Sequence, residues 1–64
     1  MNKDVTLLKQ NIARLRREIR KATRELQMLV DADLDCSGAA RVIMHMENDL
    51  RLFLEKYEHV MANA

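Results

Sequence analysis

The chain has 64 residues, 48% apolar and 33% charged, with a net charge of +1, one glycine, one cysteine and neither proline nor tryptophan. That length holds a single domain, residues 1–64, with a core too small to be secure alone, and neither a disulfide nor a convincing metal set is available to staple it. The composition excludes a strand-rich fold, no apolar run nears the ~18 residues of a membrane span, and "MNKDVTLLKQ" lacks the apolar core of a signal peptide, so a cytoplasmic chain with Cys36 reduced is expected.

The first predicted element is a helix over about residues 4–32. Val5, Leu8, Ile12, Leu15, Ile19, Ala22, Leu26 and Leu29 recur at alternating steps of three and four, an unbroken heptad seam. Away from that seam Arg14, Arg17, Lys21 and Arg24 form one basic stripe, the candidate nucleic-acid face, since phosphate contacts require little more than exposed cations. Two features favour a plain solvated face instead. Arg14–Glu18 and Lys21–Glu25 are spaced for ion pairs one helical turn apart, and both aromatic residues, Phe53 and Tyr57, lie outside this helix, which leaves no stacking platform for single-stranded bases.

At Asp33, the next seam position, the pattern stops. "DADLDCSG" follows, with short polar side chains that compete for the backbone and the one glycine of the chain, and reads as a loop of about six residues. A second helix is predicted over about residues 37–62, with a seam of Ala39, Ile43, Met46, Leu50, Phe53, Tyr57 and Val60; Cys36 continues it backward as a small residue packed under the turn. In an antiparallel pair the facing positions have a constant sum, and Leu29–Ala39, Leu26–Ile43, Ala22–Met46, Ile19–Leu50, Leu15–Phe53, Ile12–Tyr57 and Leu8–Val60 all sum to 68 or 69. The predicted fold is therefore all-α, an antiparallel two-helix hairpin. Charge agrees with it: residues 1–30 carry eight basic and three acidic side chains (+5), residues 31–64 three and seven (−4).

The apolar arc is wider than the seam. Val42, Leu54 and Met61 flank it on the second helix, Met44 and Leu52 lie further round, and Leu7, Met28 and Val30 add to the first helix. An arc that wide marks a helix with more than one neighbour, and a homodimer forming a four-helix bundle is the economical solution. The same five residues on the second helix, Val42, Leu54, Met61, Met44 and Leu52, would otherwise dock a different protein, since methionine-rich patches adapt to partners. No catalytic, metal or cofactor site is predicted. His45 and His59 stand about 21 Å apart along one helix, and no serine or cysteine has a base spaced to activate it.

Three families share parts of this pattern. The layout resembles the Rop-type helical hairpin of plasmid copy-number regulators, which implies a dimer whose first helices bind paired RNA loops, with Arg14, Arg17, Lys21 and Arg24 as the contacts. "RLRREI" followed by "LVDADLDC" is similar to the metal- and formaldehyde-sensing repressors related to copper sensors, in which a cysteine opens the second helix; their Gln-Gly element and later His and Cys ligands are absent here. In format the whole chain resembles short helical accessory proteins of the lambdoid phage early region, which implies a regulator that binds a host or phage protein. The functional expectation is a small non-enzymatic regulatory or adaptor protein acting by protein contacts. RNA or DNA binding through the first helix is the alternative, and a chaperone-like subunit for another helical protein is a further one.

Overall fold

The structure, a computed structural model, describes residues 3–63; the outermost ends of the 1–64 domain lie outside the described residues. Two helices account for nearly all of it, α1 (Lys3–Asp31) and α2 (Ser37–Ala62), packed side by side in a rod whose Cα atoms extend 49 × 14 × 12 Å. Helix is the natural state of both segments. Their interiors contain no proline, are rich in alanine, leucine, arginine and glutamate, and place an apolar residue every three or four positions so that one stripe can be buried.

The seam is the buried stripe. Leu8, Ile12 and Leu15 are buried, and every other predicted seam residue, from Val5 to Leu29 and from Ala39 to Val60, is half-buried, as is Cys36. Ile12 lies beside Tyr57, Leu8 beside Val60 and Ala22 beside Met46 in the grooves between the helices, which is the predicted register.

The connection differs from the expectation in two respects. It is one residue shorter than the predicted six, residues 32–36, and its left-handed residue is an aspartate: Asp33 has φ 58°. The Leu34 amide donates to the Leu29 carbonyl (2.9 Å) and the Asp33 amide to the Val30 carbonyl (3.1 Å), the paired bonds of a Schellman ending with Asp33 where glycine usually stands. Gly38 is inside the first turn of α2, within the predicted bounds of the second helix, with a right-handed backbone and no atom beyond its own helix backbone within 4 Å of where a Cβ would project.

Asp35 starts α2. Its Oδ1 accepts from the Ser37 amide (3.0 Å) and the Ser37 hydroxyl (2.8 Å), an Asx turn that satisfies one of the orphan amides of the first turn; Cys36, at the N-cap, makes no side-chain cap. Those bonds, the amide first and the hydroxyl second, hold the Asp35 carboxyl below the ordinary carboxylate range. At the far end the Asn63 side-chain amide donates to the His59 carbonyl (2.8 Å) and closes the last turn.

The core that results is thin. No residue of α2 is buried, and the three buried side chains of α1 contribute about 1.5–3 kcal/mol each. The accessible surface is 5213 Å². A globular monomer of this mass, 7.5 kDa, exposes about 4,250 Å² by size scaling. The hairpin therefore shows roughly 1,000 Å² more than a self-sufficient fold would, and a stable protein interface covers about 800 Å² on each partner.

Candidate functional site

The helices are joined along one line, so each side of that line is an open groove with one wall from each helix. On one side the α1 wall is a row at heptad steps, Lys9, Ala13, Arg16 and Arg20, continued by Thr23 and Gln27. Its first four members line a cleft of about 440 Å³ whose other wall is Leu54 and Tyr57, and Arg17 leans onto the same rim. Four cations thus border an apolar floor. Sequence reasoning missed this grouping because it considered the side of α1 opposite the seam, whereas Lys9, Arg16 and Arg20 lie on its flank, where only the placement of α2 gives them a shared groove.

The basic stripe of Arg14, Arg17, Lys21 and Arg24 is exposed throughout. At steps of three, four and three its members share one outer arc of α1, opposite the buried seam. The edges of that arc reach different grooves: Arg17 borders the cleft with Leu54, and Lys21 a shallow groove with Glu18, Glu25 and Met46. The expected pairs Arg14–Glu18 and Lys21–Glu25 are not formed; the surface ion pair seen among the described residues is Arg51–Glu55 at 3.3 Å, both partners well exposed and Arg51 also donating to Asn48 Oδ1 (2.7 Å). Long side chains in water lose rotamer freedom by pairing and gain little Coulomb energy in return, so open pairs at this spacing are unsurprising.

The five apolar candidates on α2 do not make one patch. Leu54 is half-buried in the basic cleft, and Met61, two turns on, shares its side of the helix. Val42 is twelve residues from Leu54, about 120° away at 100° per residue, which puts it on the other side of the seam. Leu52 borders a third groove with Asp49, Phe53 and Lys56, and Met44 faces outward, 67% exposed. Exposed apolar side chains therefore lie on both flanks of α2, separated on its outer face by Arg41, Asn48 and Glu55. On α1, Leu7 (56% exposed), Met28 (70%) and Val30 (51%) add to the uncovered surface.

Among the described residues no three of histidine, cysteine, aspartate and glutamate converge, and no helix is long and apolar enough to cross a membrane. No protein-family model matches the chain, and neither a curated protein nor a solved structure matches it.

Proposed function

We propose that this chain is a small non-enzymatic regulatory or adaptor protein that works through protein–protein contacts, the first of them with a second copy of itself. One observation carries the reading: a hairpin with three buried side chains among the described residues that leaves roughly 1,000 Å² beyond the surface of a self-sufficient monomer. Apolar side chains on both flanks of α2 extend it, because a dimer contact on the cleft side leaves Val42 and Leu52, on the other side of the seam, free for a host or phage partner. The resemblance in format to phage accessory proteins is the reason for setting that work in phage or mobile-element development. A tagged chain captured from lysate after nuclease treatment tests the reading. Retention of a protein partner by the variant with Arg14, Arg17, Lys21 and Arg24 changed to glutamine, and its loss on Val42→Asp with Leu52→Asp, are the expected results; capture that vanishes with nuclease contradicts them.

A second reading has its own support. None of the stripe or cleft arginines is neutralised by a carboxylate among the described residues, so α1 presents free cations to phosphates. If nucleic acid is the ligand, log affinity falls linearly with log salt at a slope near −0.9 per phosphate neutralised on a duplex, and the quadruple glutamine variant flattens that slope.

A further inference from the structure

We infer that the cleft formed by Lys9, Arg16, Arg20 and Leu54 is the dimer face, and that it receives α2 of a second copy, so that the two-fold axis runs along the rod and both loops lie at the same end. This rests on the self-association proposed above and adds its face and topology. The charge pattern of the two walls carries it. Along α2, on the cleft side, Glu47, Arg51, Leu54, Glu58 and Met61 follow one another at steps of four and three, so this row presents two carboxylates, an apolar centre and an arginine already tied to Glu55 at 3.3 Å. The α1 row is Lys9, Ala13, Arg16 and Arg20, with no carboxylate in it.

Two face-to-face arrangements of hairpins are compatible with two-fold symmetry. In one, the axis crosses the rods, each α1 lies on the partner's α1, and the loops are at opposite ends. Two lysines and at least four arginines then meet across a contact with no carboxylate, which is repulsive in a partly dry interface. In the other, the axis runs along the rods and each α1 lies antiparallel on the partner's α2. Positions at one height then share nearly the sum that relates them within the hairpin. Lys9 meets the partner's Glu58, Arg20 the partner's Glu47, and small Ala13 the partner's Leu54, each pair summing to 67 against 68 or 69 for the core layers. Arg16 and the partner's Arg51 are the one like-charged pair, and Glu55 already sits on Arg51. Small against large in one middle layer and opposite charges in the two outer layers, against one arginine pair, favour this arrangement over the first, in which every charged pair repels. Val42, on the other side of the seam, stays outside it.

The test uses the full chain with Cys36→Ser and Leu34→Cys, which places one spin label on an exposed loop residue. With the loops at one end and neighbouring helices about 8–10 Å apart, the label pair of a dimer should read within about 20 Å. A dimer whose labels read about 40 Å apart, the length of a 26-residue helix at 1.5 Å per residue, overturns the topology but leaves the self-association reading standing. A monomer at high micromolar concentration overturns both. The face is tested separately. Leu54→Asp should weaken dimerisation at least tenfold and Val42→Asp should leave it within twofold; the reverse order overturns the assignment. Lys9→Glu with Arg20→Glu should also weaken dimerisation at least tenfold, and adding Glu47→Lys with Glu58→Lys should restore it. If the four-fold variant stays as weak as the double one, the pairing is wrong.

Discussion

The turn supplies a prediction whose magnitude follows from backbone geometry. Asp33 sits at φ 58°, where an L side chain crowds the following carbonyl oxygen, while Gly38 sits in a helical turn that a Cβ would not disturb. Exchanging the roles should stabilise the protein. Gly38→Ala removes backbone freedom from the unfolded chain and adds no contact closer than 4 Å, which is worth about 0.4–1 kcal/mol. Asp33→Gly relieves a left-handed penalty of about 1–2 kcal/mol, reduced because aspartate tolerates that region better than most residues, and returns roughly 0.5–1 kcal/mol in unfolded-state entropy, for a net gain between about 0 and 1 kcal/mol. Together the substitutions should raise the melting temperature by about 2–15 °C at the 4–8 °C per kcal/mol of a domain this small. Thermal unfolding followed by circular dichroism is the assay, at one fixed chain concentration because association would move the midpoint. A lower midpoint for Gly38→Ala would place residue 38 outside the helix, and a loss above about 1 kcal/mol for Asp33→Gly would mean that Asp33 makes a side-chain contact worth more than its strain.

Ala22→Leu, in the layer with Met46, should overpack the seam and lower stability by about 1–3 kcal/mol, whereas Arg17→Ala on the surface should change it by less than about 0.5; equal shifts in melting temperature would show the seam misplaced. Leu15→Ala, at a buried position, should destabilise by about 2–5 kcal/mol in denaturant titration, and a change below about 1 would contradict its burial. Because the Asp35 carboxyl is held below its unfolded value near 3.8, its stabilisation is present above that value and is lost as pH falls through the lower folded one; Asp35→Asn keeps the acceptor and should flatten stability against pH in that window, and an unchanged acid slope would remove Asp35 as the group responsible.

Much of the hairpin was legible because its physical cause is periodic. Steps of three and four from Val5 to Leu29, and again from Ala39 to Val60, can be buried only along one stripe of a helix, and the near-constant sums set the register. The turn was less legible. The start of the second helix near residue 37 was legible, but composition alone could not say that the left-handed position of "DADLDCSG" falls on Asp33 rather than on its one glycine. The interaction surface was the least legible part. Val42, Leu54, Met61, Met44 and Leu52 were recognisable as surplus apolar residues, but which share a side depends on where α1 lies. The same holds for Lys9, Arg16 and Arg20. Their spacing alone describes a flank of one helix, and only the Leu54 and Tyr57 wall of the other makes that flank a cleft.

The claim that this hairpin functions by contact, beginning with its own copy, rests on a deficit of burial, and mass in solution addresses that deficit directly. Sedimentation equilibrium of the full chain across micromolar concentrations should give twice the 7.5 kDa chain mass with helicity unchanged on dilution into the dimer range. A fully helical, cooperatively melting species that stays at the single-chain mass up to high micromolar concentration would contradict the account, because three buried side chains would then be enough to hold the fold.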